Sequence, residues 1–202
     1  MSPRKQGNGA RQATGDARGV AQLAQDAARG TLLYATKNPL PGDVRARAVE
    51  LLNSRLADCV DLQSQCKQAH WNVKGPHFIG LHKLFDDIYE ETGEYVDLIA
   101  ERVVQLGGIA EGTVRVASQR SSLTEYPLVL SSGEDHVNAL SDVLAQFSGK
   151  AREAIEELDD LEDPDSADIL TEVSRGVDKW LWFVEAHQQT TPVSTEVRRS
   201  AR

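Results

Sequence analysis

Four side chains in one stretch of the sequence have the types and the spacing to bind a transition metal: His82, Asp86, Asp97 and Glu101. Imidazole and carboxylate groups are the usual protein ligands of iron, manganese and zinc. In an α-helix, the last three lie about 40°, 60° and 100° around the axis from His82, so all four share one face. His82 and Glu101 are 19 residues apart, which is about 28 Å along a helix, so one helix cannot bring both to the same ion.

A twofold axis between two copies of the chain would complete such a site. If two copies of the helix pack antiparallel and cross near positions 91 and 92, Asp86 faces Asp97 of the second copy. In the same arrangement His82 faces Glu101 of the second copy, so each dimer holds two sites. Gly93 lies on the same face and is expected to let the two helices approach closely.

His70 is a further candidate ligand on a preceding helix. It lies 11 residues after Cys59 and shares an inward stripe with Cys59 and Cys66. A lone inward histidine also fits a hydrogen-bonded core residue, and acids on a long helix also fit a solvated face. Spacing alone therefore leaves both a metal site and an ordinary helix open. The two cysteines, about 10 Å apart on one helix, are too distant for a disulfide and are expected to be buried thiols.

Four helical segments are predicted to position these residues, because apolar side chains recur there at steps of three and four. The segments cover approximately 43–70, 78–106, 133–158 and 164–184. Asp43, Ser132 with Asp135, and Asp163 before Pro164 are the expected caps of three of them.

The connection from Gly107 to Gly133 is 27 residues long, too long for a hairpin link, and must cross the bundle. We predict a short helix within it, near 122–130. Strand patterns are weak throughout. The sequence thus predicts an all-α fold, a four-helix bundle with one long crossover between the second and third helices, which is the ferritin-like topology.

Composition limits the range of functions. The 202 residues suit one domain, which we place at 31–187 between a basic extension over 1–30 and a tail over 188–202. Lys and Arg number 22 against 31 Asp and Glu, a net charge of −9, so the body should repel nucleic acid. Neither a membrane-spanning stretch nor a signal peptide is recognisable, and a cytoplasmic protein is expected.

The sequence also resembles a known family, most clearly in one run, QAHWNVKGPHFIGLHKLFDDIYEETGEYVDLIAERVVQLGG, residues 68–108. The likeness extends to TLLYATKN at 31–38, VELLN at 49–53 and SADILTEVSRGVDKWLWFVE at 166–185. These segments resemble the Dps family, the ferritin-like DNA-protection-during-starvation proteins, over about three quarters of the chain.

This resemblance implies a shell of twelve subunits that oxidises ferrous iron, preferably with hydrogen peroxide, and stores the ferric product. The implied iron ligands are His70, His82 and Asp86 of one subunit with Asp97 and Glu101 of its twofold mate. The Glu-x-x-His pairs of other di-iron bundles are absent from this sequence. Trp71 matches a family tryptophan that could intercept a stray oxidising equivalent, and it also fits a large interface side chain.

Two further sets of charged residues have a counterpart in the family. Four acids at the turn into the last helix resemble acidic iron-entry pores and also fit helix capping: Glu162, Asp163, Asp165 and Asp168. Four basic residues in the N-terminal extension are the candidate DNA contacts: Arg4, Lys5, Arg11 and Arg18. The family's DNA-binding members have a lysine-rich arm, whereas this arm is sparse and based on arginine. The basic residues nevertheless leave one alternative to an iron-oxidising enzyme: a structural protein that binds the nucleoid and whose iron chemistry is secondary.

Overall fold

The computed structural model describes residues 31–190. This part of the chain contains five helices and no named strand. The helices are α1 (Gly42–Asn72), α2 (Phe78–Gln105), α3 (Val114–Arg120), α4 (Gly133–Asp160) and α5 (Pro164–Glu185). The all-α prediction is confirmed, as are the four long helices.

Two antiparallel helix pairs build the bundle. α1 packs mainly against α2, and α4 packs mainly against α5. The crossover from the end of α2 to the start of α4 carries α3, which packs on α1. The core between the pairs is apolar, with Leu56, Phe85, Ile99, Leu144 and Phe147 all fully buried. None of the described helices is both long and apolar enough to cross a membrane.

The helix caps agree with the sequence at two of three positions. Ser132 accepts a hydrogen bond from the Asp135 backbone N–H at 3.1 Å, and the Asp163 carboxylate accepts one from Ser166 N–H at 3.2 Å. The prediction for Asp43 was wrong, because α1 already begins at Gly42 and no side chain caps it. Asp43 lies in the first turn, where its charge favourably meets the helix dipole.

The short crossover helix was predicted in the wrong place. It lies at Val114–Arg120 and begins with Thr113 as its cap, while no helix forms over 122–130. Asp58, a fully buried carboxylate of α1, accepts a hydrogen bond from Ser122 N–H at 2.7 Å. This contact ties the segment after α3 to α1, and Pro127 within 122–130 lacks the N–H that a helix interior requires.

Candidate metal centre

His70 and His82 form a stacked pair where the end of α1 meets the start of α2. Their ring centroids are 3.7 Å apart with an interplanar angle of 21°. His70 Nδ1 lies 2.7 Å from the backbone carbonyl oxygen of His82, and His82 Nδ1 lies 2.8 Å from the carbonyl oxygen of His70. A carbonyl oxygen only accepts hydrogen bonds, so each Nδ1 must carry the proton. In a neutral ring with this tautomer Nε2 carries the lone pair, which is the form of imidazole that binds a metal.

Asp86 lies one helical turn after His82 and close to both rings. Its Oδ1 is 3.8 Å from His70 Nδ1 and in contact with the ammonium group of Lys67. The hydrogen bond from Lys67 is the main cause that lowers the pKa of Asp86, and it outweighs the opposing effect of burial. Lys67 Nζ also lies 4.5 Å from the centre of the Tyr89 ring. Asp86 is therefore an ionised candidate ligand whose carboxylate already pairs with the ammonium group of Lys67.

Lys67 was missed by the sequence reasoning. It lies three residues before His70, and residues three apart on a helix are neighbours on its surface. That spacing was the available signal. The lysine was overlooked because a cation is not itself a metal ligand.

Asp97 and Glu101 are exposed on α2 and do not reach the histidine pair within one chain. Accordingly, the residues described in a single chain include no group of three or more His, Cys, Asp or Glu side chains arranged to hold a metal. His70, His82 and Asp86, the candidate half-site, are thus separate within one chain from the exposed carboxylates of Asp97 and Glu101.

Trp71 and Gly93 are two further residues for which an expectation followed from the sequence. Trp71 is 67% exposed beside His70, and its role stays a prediction. The expectation that Gly93 lets two copies of α2 approach closely also stays a prediction. A Cβ atom at Gly93 would lie 2.8 Å from Nε2 of Gln63, so the side chain that approaches this glycine comes from α1 of the same chain.

Among the four acids proposed to line a pore, Asp163 behaves differently from the other three. It is 1% exposed, caps α5 and pairs with Arg102, whose NH2 lies 2.9 Å from Oδ1. Its charge is thus neutralised inside the bundle, and the capping interpretation is correct for this residue. Glu162, Asp165 and Asp168 are exposed at the same end of the bundle.

The three histidines outside the candidate ligand set differ in their surroundings, and His136 is the buried one. It is 1% exposed, its Nδ1 lies 2.5 Å from the Tyr126 hydroxyl, and burial lowers its pKa. His77 occupies the N-cap position of α2 without a side-chain hydrogen bond. His187 is exposed. The thiols of Cys59 and Cys66 are fully buried, as predicted.

The candidate DNA contacts lie outside the described residues, which begin at Thr31. These contacts are Arg4, Lys5, Arg11 and Arg18. The part of the C-terminal tail after residue 190 is likewise outside.

Comparison with known proteins agrees with this fold. The sequence model of the ferritin-like domain family matches residues 49–193. A DNA protection during starvation protein of Agrobacterium fabrum is 43% identical over 156 residues, covering 77% of this chain and 96% of the relative. One from Mycolicibacterium smegmatis is 34% identical, covering 77% of this chain and 86% of the relative.

Two solved structures have the same fold over most of their length. DpsA14 from Streptomyces coelicolor matches with a TM-score of 0.77 and 29% identity, covering 82% of this chain and 99% of that one. The tetragonal form of Mycobacterium smegmatis Dps matches with a TM-score of 0.75 and 31% identity, covering 79% and 96%. Sequence, fold and relatives agree, and the chain belongs to the Dps family of ferritin-like proteins.

Proposed function

We propose that this protein is a Dps-type mini-ferritin that oxidises ferrous iron with hydrogen peroxide at sites shared between two subunits. The ferric product would be stored inside a shell of twelve subunits. The observation that carries the proposal is the histidine pair, because each ring donates Nδ1–H to the other residue's carbonyl and keeps Nε2 free. Two such lone pairs beside the Asp86 carboxylate form a donor set that suits a transition metal.

The second half of the site is proposed to come from a twofold mate. Two antiparallel copies of α2 that cross near positions 91 and 92 would bring Asp97 and Glu101 of one subunit to Asp86 and His82 of the other. Both distal acids are exposed and have no ion pair among the described residues, so they are available to a partner. Five ligands then surround iron as substrate: two imidazoles and three carboxylates.

The proposed reaction needs two electrons from iron. Two ferrous ions give two electrons to one hydrogen peroxide, which takes up two protons and leaves as two waters, and two ferric ions remain. Transfer of both electrons together avoids the hydroxyl radical that a single-electron step would release. The carboxylates of Asp86, Asp97 and Glu101 would stabilise the higher charge of ferric iron, while the backbone hydrogen bonds keep the imidazoles oriented.

Iron entry is proposed to use the acidic end of the bundle. Glu162, Asp165 and Asp168 are exposed around the turn between α4 and α5, and Asp163 is excluded because it is buried against Arg102. Carboxylates from symmetry-related copies would concentrate divalent cations at such a position.

The test is the double variant Asp86→Ala with Glu101→Ala, which removes one carboxylate from each half of the site. Anaerobic loading with Fe(II) followed by peroxide should give rapid ferric absorbance in the wild type and at least about a hundredfold slower absorbance in the variant. An unchanged rate would refute the ferroxidase assignment.

A matched control removes the same two charges from the same helix. Asp87 and Glu94 are exposed on α2. They lie about 140° and 120° around the helix axis from His82, farther than any of the candidate ligands on this helix. The variant Asp87→Ala with Glu94→Ala should oxidise iron at the wild-type rate. Both double variants should keep the solution mass of twelve chains, which separates lost chemistry from lost assembly.

A nucleoid-binding structural protein is the second candidate function. It is supported by the basic ends, since residues 1–20 carry a net charge of +3 and residues 188–202 carry +2. The relatives' name, DNA protection during starvation protein, fits either function.

A further inference from the structure

Two exposed aliphatic side chains extend the ligand face of α2 in both directions, one before His82 and one after Glu101. Ile79 is 61% exposed and Val104 is 57% exposed. They lie about 60° and 40° around the helix axis from His82, within the same sector as Asp86 and Asp97. If two copies of this face pair as proposed for the metal site, both side chains are covered by the partner.

The positions of these two residues match each other under the proposed twofold axis. Ile79 comes three residues before His82, and Val104 comes three residues after Glu101. Because His82 faces Glu101 of the second copy, moving three residues outward along both antiparallel helices brings Ile79 opposite Val104. Ile79 and Val104 are therefore related by the twofold axis that pairs the ligands. The position of that axis was chosen from the ligands alone.

An open hollow of about 380 Å³ lies beside Glu101 and is able to receive the partner's aliphatic side chain. Its lining is almost entirely apolar surface, contributed by Ala100, Val104 and Ala110 together with Glu101 and Gln105. Phe78, 38% exposed, lies next to Ile79 and tilts over His82 with ring centroids 5.0 Å apart. The projecting side chains are thus at one end of α2 and the hollow is at the other.

We propose that Ile79 of each subunit packs against Val104 in this hollow of a second copy of the chain, and that this reciprocal contact sets the register of the α2 pair. The inference rests on the proposed inter-subunit site and names the residues that align it. A slip of one helical turn would move His82 about 5.4 Å from its position opposite Glu101. A contact that fixes register is consequently a condition for both metal sites.

Paired cysteines test the register directly. In the variant carrying Ile79→Cys and Val104→Cys, mild oxidation should produce a covalent two-chain species that a reductant dissolves. Each single variant should give none, because two copies of position 79 would lie about 37 Å apart in this dimer. The native thiols of Cys59 and Cys66 are fully buried and do not interfere. Absence of the two-chain species in the double variant, or equal yields from the single variants, would overturn the proposal.

Charge substitution gives a second test that does not depend on disulfide geometry. Ile79→Lys alone should reduce the fraction of chains in the assembled form at least tenfold, and adding Val104→Glu should restore it. No rescue by the second substitution would count against the contact. Wild-type iron oxidation combined with no cysteine cross-link would refute the register alone. Efficient cross-linking in a protein that does not oxidise iron would refute the proposed function alone.

Discussion

Lys67 connects the two helices of the half-site through charge. Its ammonium group contacts Oδ1 of Asp86, with side chains that are 25% and 33% exposed. In the proposed function, ferrous iron that binds Asp86 would have to displace this cation or share the carboxylate with it. The ion pair would thus compete with iron for the same oxygen atoms.

Replacement of Lys67 by Met should therefore strengthen the binding of Fe(II). A partly exposed ion pair contributes about 1 kcal/mol or less, so we expect the Kd to fall by up to about fivefold. The change is measurable by anaerobic calorimetric titration with Fe(II). Lys83→Met removes the same charge from an exposed residue next to His82 and should leave the Kd unchanged. Weaker binding in Lys67→Met would show that the lysine supports the site.

At the residue scale, the sequence predicted which side chains lie together but not how they are held. The stripe on α2 identified His82 and Asp86, and the resemblance added His70. The crossed hydrogen bonds between each ring and the other residue's carbonyl depend on the exact approach of α1 to α2. Periodicity carries no information on that approach. For the same reason Asp163 could not be separated from its exposed neighbours.

The approach of α2 to α5 depends on a glycine. A Cβ atom at Gly176 would lie 1.7 Å from the Tyr95 hydroxyl oxygen, so no side chain fits there unless Tyr95 moves. That hydroxyl donates to Glu91, which also accepts hydrogen bonds from Lys179 of α5 at 2.8 and 2.9 Å. Burial acts to raise the pKa of Glu91, but these hydrogen bonds leave it lowered. The glycine thus permits a hydrogen-bonded junction between the two helices.

Gly176→Ala should lower the stability of the protein by about 1–3 kcal/mol, because the new methyl group overpacks the junction and displaces Tyr95. Gly149→Ala is the matched control. It lies within α4, and no atom is within 4 Å of its added Cβ. Alanine there should stabilise the protein by about 0.5–1 kcal/mol through its higher helix propensity. Thermal unfolding at equal protein concentrations measures both, and equal shifts for the two variants would contradict the argument.

The four long helices were predictable at the element scale because each repeats its apolar side chains at helical steps over about six turns or more. The seven-residue α3 was not, since a segment of two turns contains too few apolar positions to show a period. Val114 and Val116 also have low helix propensity. Its position depends on tertiary contacts instead: Ala117 is buried, and Asp58 of α1 accepts a hydrogen bond from Ser122 N–H just after the helix.

Charge at the scale of the whole molecule is divided unevenly along the chain. The net charge is −9, and the two ends contribute +3 and +2, which leaves −14 on residues 21–187. An acidic body suits the attraction of ferrous iron and opposes contact with DNA phosphates. Any affinity for DNA must consequently come from the ends, and twelve weakly binding arms on one shell would act together.

Deletion of residues 1–20 should abolish retardation of DNA in a gel-shift assay, whereas the full chain should retard it at about 50 mM salt and lose most of that affinity at 200 mM. The reason is that the arm supplies the larger of the two basic contributions, and counterion release makes such binding depend strongly on salt. A full-length variant with Gln at Arg4, Lys5, Arg11 and Arg18 keeps the arm's length and should behave like the deletion. Equal retardation without the arm would assign DNA binding to the C-terminal residues or to the body, and would refute the role of these four side chains.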